Sequence, residues 1–294
     1  EFAAKPVWQR CAIALAGILA GLDAAERPAS SGPADPLAQR MPHFRPRARC
    51  VIFLYMTGGV SHVDTFDPKP KLFSGHGKSI TVDNWQGRMG AFTRYLKRPG
   101  WEFRPGGKCG TEVSDLFPGI RSAADDLCVI RSMQSDHTNH YESTPGMHTG
   151  SFSFARPSLG AWVSYGLGTV NRNLPSFVVV APQPPYAGTQ TWGSDFLPGC
   201  HQGTQVVPGP VPIPNVRRRA PSQGLQDLEL ELVEHANLRH LAERPGDAAL
   251  EARIRSLETA FGMQREAPEA FNVSRESDAT LGLYGLERGK TAGF

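Results

Sequence analysis

No apolar run in this 294-residue chain approaches the length that crosses a bilayer, about 20 residues. An integral membrane segment is therefore not expected. Paired cysteine spacings are missing as well. Cys11, Cys50, Cys109, Cys128 and Cys200 contain no CxxC, which argues against a structural zinc site. Charge of one sign is also scarce. Lys and Arg number 31 against 28 Asp and Glu, a net charge of +3. The one basic run, Arg217-Arg218-Arg219, sits in a Pro-rich stretch and reads as a solvated loop, so nucleic acid is not an expected partner. There is no GxSxG elbow, no HExxH, no P-loop, no GxGxxG and no internal repeat. What remains is an ordinary globular composition, 40% hydrophobic and 20% charged, with 31 Gly and 25 Pro making it loop-rich. The length suits one large domain or two small ones.

The N-terminal residues have a layout of their own. Lys5 and Arg10 precede the weakly apolar run from Cys11 to Leu22, and Ala24-Ala25 follow it. Basic, then apolar, then small is the order of a secretory leader; a buried or amphipathic first helix is the alternative. Residues 26–48 are rich in Pro, Ala, Ser and Arg and read as a linker. The chain begins at Glu1 rather than Met, so residues 1–25 read as a partial export leader and 49–294 as the folded body. Export would put four cysteines in an oxidising compartment, with up to two disulfides. Free buried thiols are equally consistent, because Cys50 and Cys128 adjoin apolar runs.

Within the body, Cys50-Val51-Ile52-Phe53-Leu54-Tyr55-Met56 is continuously apolar and ends at Gly58-Gly59. That pattern suits a central strand of a parallel α/β sheet. Leu127-Cys128-Val129-Ile130 and Phe177-Val178-Val179-Val180 look similar. Between them, Leu159, Trp162 and Val163 share one side of an expected helix closed by Gly166 or Gly168. Strand, helix and strand in that order predict a βαβ unit. Residues 222–264 read as two helices with a break at Arg244-Pro245-Gly246. Leu225, Leu228 and Leu232 mark the packing face of the first. Leu250, Ile254, Leu257 and Phe261 mark that of the second. Asp247 is a plausible N-cap and Pro268 falls just past the end.

Six of the nine histidines fall between His43 and His148. Two polar segments concentrate them, Gly58–Asp67 with His62 and Asp64, and Ser135–Gly150 with His137, His140 and His148. Each follows an expected parallel strand, and open α/β sheets bind ligands at the carboxyl ends of their strands. Imidazole with carboxylate suits a divalent metal such as zinc, and carboxylates alone suit magnesium or calcium. The plainer reading is that these are loop and cap residues. Asp64 would then cap a helix, and Asp67 would precede one whose first turn holds Pro68.

The run from Val51 to Pro70, through Thr57-Gly58-Gly59 and Asp64, resembles the signature of the bacterial family called domain of unknown function 1501, abundant in planctomycete-type bacteria. Glu112–Pro118, Asp125–Met133, Arg156–Gly160, Asn173–Val178, Arg244–Asp247 and Leu283–Leu286 agree with it. The family is similar to the alkaline phosphatase and sulfatase superfamily. The resemblance thus implies a mostly parallel sheet between helices with a metal site at the strand ends. Superfamily hydrolases place metal-binding aspartates just after the first strand, where this chain has Thr57-Gly58-Gly59 and, nearest, Asp64. Counting back from Thr149-Gly150, the sulfatase nucleophile position holds His140, with Glu142 in place of Pro. Covalent catalysis of the sulfatase type is therefore not implied. The other superfamily ligands come from a C-terminal part that is missing here.

The expectation is a metal-dependent hydrolase of sulfate or phosphate esters, small-molecule or glycan. Asp64 and His140 would ligate zinc, calcium or magnesium, and His137 would ligate it or transfer protons. The alternative is a non-catalytic secreted binding or scaffold protein on the same fold. Family leaders are commonly of the twin-arginine type, which implies an exported, periplasmic or extracellular protein.

Overall fold

The computed structural model describes residues 35–82, 91–171, 173–209, 211–214, 216 and 218–288. The expected leader, the first part of the linker and Arg217 lie outside the described residues. The chain divides into two compact units, residues 53–134 and residues 1–52 with 135–294. No helix among the described residues is long and apolar enough to cross a membrane.

In the unit 53–134, Gly58 and Gly59 take φ of +82° and +71°. The Gly59 N–H closes a turn onto the Met56 carbonyl. Two short helices follow, α1 (His62–Thr65) and α2 (Pro70–Ser74). Pro70, not Pro68, opens α2, since a proline ring fits the first turn where no N–H is needed. Strand β1 (Ser79–Val82) pairs antiparallel with β2 (Phe92–Tyr95). β3 (Phe103–Gly106) pairs antiparallel with β4 (Thr111–Ser114), and helix α3 (Pro118–Ser122) follows. Val113, Ser114 and Ala124 are fully buried here.

The turn joining β3 to β4 is fixed by Asp125. Its carboxylate accepts the Lys108 and Cys109 N–H groups at 2.9 and 2.8 Å. Those two bonds hold its pKa below the usual carboxylate value. Gly107, at φ +57°, lies so close that a Cβ would sit 2.4 Å from an Asp125 oxygen. Only glycine meets both demands.

In the second unit, α4 (His140–Thr149) ends at Gly150 with φ +81°. α5 (Leu159–Leu167) starts on the Ser158 hydroxyl and ends at Gly168 with φ +68°. A Cβ on Gly168 would run into the Ala38 backbone, so the closure is specific to glycine. β5 (Val178–Val180) pairs in parallel with β6 (Thr204–Val206). Phe177, just before β5, occupies space left by Gly160 and Gly203, where any Cβ would meet its ring. Helices α6 (Gln223–Ala242), α7 (Ala248–Ala270) and α8 (Asp278–Leu283) complete the unit. Val206, Ile213, Met263 and Ala267 form a core cluster, with Leu174, Val216 and Phe271 packed against it.

The described residues have the helices and a parallel pair of an α/β protein, but among them stand three two-stranded sheets rather than one broad parallel sheet. The apolar run at Cys50–Met56 is not assigned as a strand, with Ile52 and Leu54 more than 80% exposed. Leu127–Ile130 likewise forms no strand. A strand needs a continuous ladder of backbone hydrogen bonds with a neighbour, and among the described residues neither run belongs to a sheet. The expected βαβ unit therefore lacks its first strand. The two long helices form as expected, with Asp247 accepting the Leu250 N–H at 3.0 Å. Two details differ. Pro268 lies inside α7, which continues to Ala270. Leu225, Leu228 and Leu232 are exposed rather than packed.

Candidate functional site

The histidine-rich segment of the second unit is organised by the start of α4. Asn139 is its N-cap, with Oδ1 accepting the Tyr141 N–H at 2.8 Å. The preceding loop is tied down by Ser143, whose hydroxyl donates to the His137 carbonyl at 2.5 Å. Ser135 Oγ accepts the His137 N–H at 3.3 Å. His137 and His140 are therefore held at the entry of a helix whose first N–H groups favour negative charge.

The hydrogen bonds also set the tautomers. The Asn139 N–H donates to His137 Nδ1 at 3.1 Å. His137 in its neutral form thus carries its proton on Nε2 and presents a donor there. His148 is the opposite case. Its Nδ1 lies 2.9 Å from the Thr144 carbonyl, which can only accept, so Nδ1 carries the proton and Nε2 has a lone pair. Burial lowers the His148 pKa and favours that neutral form. The His137 ring packs against Phe152 at 5.5 Å between centroids. The His140 ring stacks on Tyr186 at 5.9 Å and 22°.

Glu142, in the first turn of α4, faces His137 with 3.7 Å between Oε2 and Nδ1. That Oε2 is buried and has no hydrogen-bond partner among the described residues. A carboxylate oxygen in this state calls for a cation or a donor. In the sequence Glu142 is one acidic neighbour of His137 and His140, and only the fold shows that its Oε2 is buried.

Asp64 belongs to the other unit. It sits in the first turn of α1 and accepts the Ser61 hydroxyl at 2.6 Å. The N-cap position is Ser61, so Asp64 stands inside the first turn rather than capping the helix as the plainer sequence reading expected. Asp67 pairs with Lys69 at 2.6 Å, and that hydrogen bond lowers its pKa. His62 lies on the same helix. Among the described residues, no group of three or more His, Cys, Asp or Glu side chains is arranged to hold a metal. The four described cysteines are all free thiols.

A buried polar group that the sequence did not reveal lies elsewhere in the second unit. His201 is 0% exposed, and its Nδ1 lies 2.8 Å from Ser164 Oγ, itself 2.6 Å from Ser176 Oγ. Tyr165 meets its ring edge-on at 5.4 Å, and the Arg40 guanidinium covers the Tyr165 ring at 5.0 Å. Burial, aided by Arg40, lowers the His201 pKa to about 4. Its Nε2 has no partner among the described residues. This pattern is structural. No charge develops where an imidazole is sealed from water.

Fold and site together define an α/β protein with a histidine-bearing helix start. Residues 48–294 match the family described as "Protein of unknown function (DUF1501)", and the chain belongs to that family. No curated protein and no solved structure matches it.

Proposed function

We propose that this protein is an exported metal-dependent hydrolase of sulfate or phosphate esters, small-molecule or glycan, on a sulfatase-like fold. The start of α4 receives the anionic group. The observation that carries the reading is Glu142 Oε2, buried without a hydrogen-bond partner beside His137. A carboxylate next to an anion-binding helix start repels the anion unless a cation lies with it. A divalent ion would remove that conflict, and the donor types suit one: a carboxylate oxygen from Glu142 and an imidazole from His140 are ligands that zinc accepts, and the carboxylate suits calcium or magnesium. When bound, such an ion supplies Lewis acidity toward the ester.

The chain's own residues do the rest. His137 Nε2–H donates a hydrogen bond to an ester oxygen, its direction fixed by the Asn139 N–H on Nδ1. The His140–Tyr186 stack offers a flat face to the group carrying the ester. Asp64 is the proposed ligand of its own unit and is tested separately. The test measures bound metal in the purified protein, and turnover of aryl sulfate and aryl phosphate esters with added zinc, calcium or magnesium. Glu142→Gln and His140→Ala are each expected to lower metal content and turnover at least tenfold. Asp64→Ala does so only if Asp64 is a ligand. Metal-free protein with no turnover across the panel sinks the proposal.

A second reading, a non-catalytic secreted glycan-binding or scaffold protein, is favoured by the same stack, because Tyr186 is half exposed and stacked rings suit sugar faces. Glycan binding unaffected by chelator and abolished by Tyr186→Ala would select it.

A further inference from the structure

Helix α6 turns its apolar side outward. At 100° per residue, Leu225, Leu228, Leu232 and Ala236 share one stripe. The three leucines are 43, 64 and 71% exposed. The opposite side, with Gln226, Leu230, Asn237 and Leu241, is the covered one, and Gln226 hydrogen-bonds Gln264 of α7. No residue of α6 is buried. A three-turn leucine stripe facing water is an interaction surface rather than a scattered exposure.

The charges on the helix specify an occupant. Asp227, Glu229, Glu231 and Glu234 lie in its first twelve residues, and His235, Arg239 and His240 in its last eight. A parallel neighbour of the same sequence would set acid against acid. An antiparallel one sets each acidic half against the other's basic half and opposes the helix dipoles favourably. Leu232 and Ala236 fall near the middle, where a large side chain meets a small one and the backbones approach closely. We propose that α6 pairs antiparallel with α6 of a second copy, making the protein a two-fold dimer through the Leu225–Leu228–Leu232 stripe.

The test is sedimentation of the whole chain across micromolar concentrations. The wild type is expected at twice the chain mass, and the Leu228→Glu/Leu232→Glu variant at the chain mass with unchanged circular dichroism. Because that variant alters apolar residues, surface charge reversals provide an independent measure. Asp227→Lys/Glu229→Lys/Glu231→Lys/Glu234→Lys leaves the helix with basic charges only, and His235→Glu/Arg239→Glu leaves it with acidic charges at both ends. Each alone is expected to be monomeric, and their equimolar mixture dimeric. A wild-type monomer at every concentration, or dimers that persist in both charge-reversed variants, overturns the proposal. So does a mixture that stays monomeric.

Discussion

Acid is expected to loosen this protein through His201 before its carboxylates are titrated. The imidazole is sealed from water, its Nδ1 is engaged by Ser164, and Arg40 lies across Tyr165. Its pKa in the fold is about 4, against an ordinary value of 6.5. Above pH 6.5 both folded and unfolded chains hold His201 neutral, and it contributes no pH dependence. Below 6.5 the unfolded chain takes up a proton that the folded chain refuses. Stability then falls by about 1.4 kcal/mol per pH unit until the folded pKa is reached near pH 4. The loss over that window is about 3 kcal/mol, a large share of a typical domain's stability. Urea titrations followed by tryptophan fluorescence at pH 7, 6, 5 and 4 read it out, since Trp162 packs against Tyr165 at 6.1 Å. Comparison with His201→Gln isolates the residue from His148, whose pKa is also lowered. The variant is less stable at pH 7, where it loses the Ser164 contact, and the gap closes by about 3 kcal/mol by pH 4. Parallel stability curves for the two proteins would refute this account, as would a His201 carbon resonance titrating near pH 6.5.

Gly107→Ala forces a side chain into a left-handed backbone and against Asp125, so the β3–β4 hairpin is expected to lose about 1–3 kcal/mol, measured by amide hydrogen exchange at Lys108 and Cys109. Asn139→Ala removes the α4 cap and costs about 1 kcal/mol, seen as faster exchange of the Tyr141 amide with other helices unaffected. Burial pushes the Cys200 thiol up to about 11, so at pH 8 it reacts with a disulfide reagent far more slowly than exposed Cys50 and Cys128. Equal rates for the three would contradict the burial.

What the sequence discloses here is what depends on neighbours in the chain. The helix at Leu159–Leu167 and its glycine stop, and the α6–α7 break with Asp247 as cap, all follow from residues within a few positions of one another. Strands do not. Cys50–Met56, Leu127–Ile130 and Phe177–Val180 are alike as apolar runs, yet among the described residues only the last contributes a strand to a sheet. Its partner Thr204–Val206 has a mixed composition that carries no strand signal. The site divides the same way. His137 and His140 are legible because they cluster in sequence. His201 is not, because its partner Ser164 lies 37 residues away and only folding brings them to 2.8 Å.

The two long helices carry this further. Periodicity states which residues share a face, but whether that face is covered depends on the room its neighbour leaves. α7 is buried through Ala252, Ile254, Thr259, Gly262, Met263 and Ala267. Small side chains dominate that surface because the backbone must come close: a Cβ on Gly262 would stand 2.8 Å from the Asn173 Cα. Leu257 and Phe261, the more hydrophobic choices, remain exposed, as do Leu225, Leu228 and Leu232 on α6. Ranking faces by hydrophobicity alone therefore places the leucines of α6 inward where the structure places them outward, and on α7 it is right for buried Ile254 and half-buried Leu250 but not for Leu257 and Phe261. Close packing favours the residues that fit. The leucine faces it leaves in water are then available to a surface with more space, which on α6 is a second copy of the same stripe.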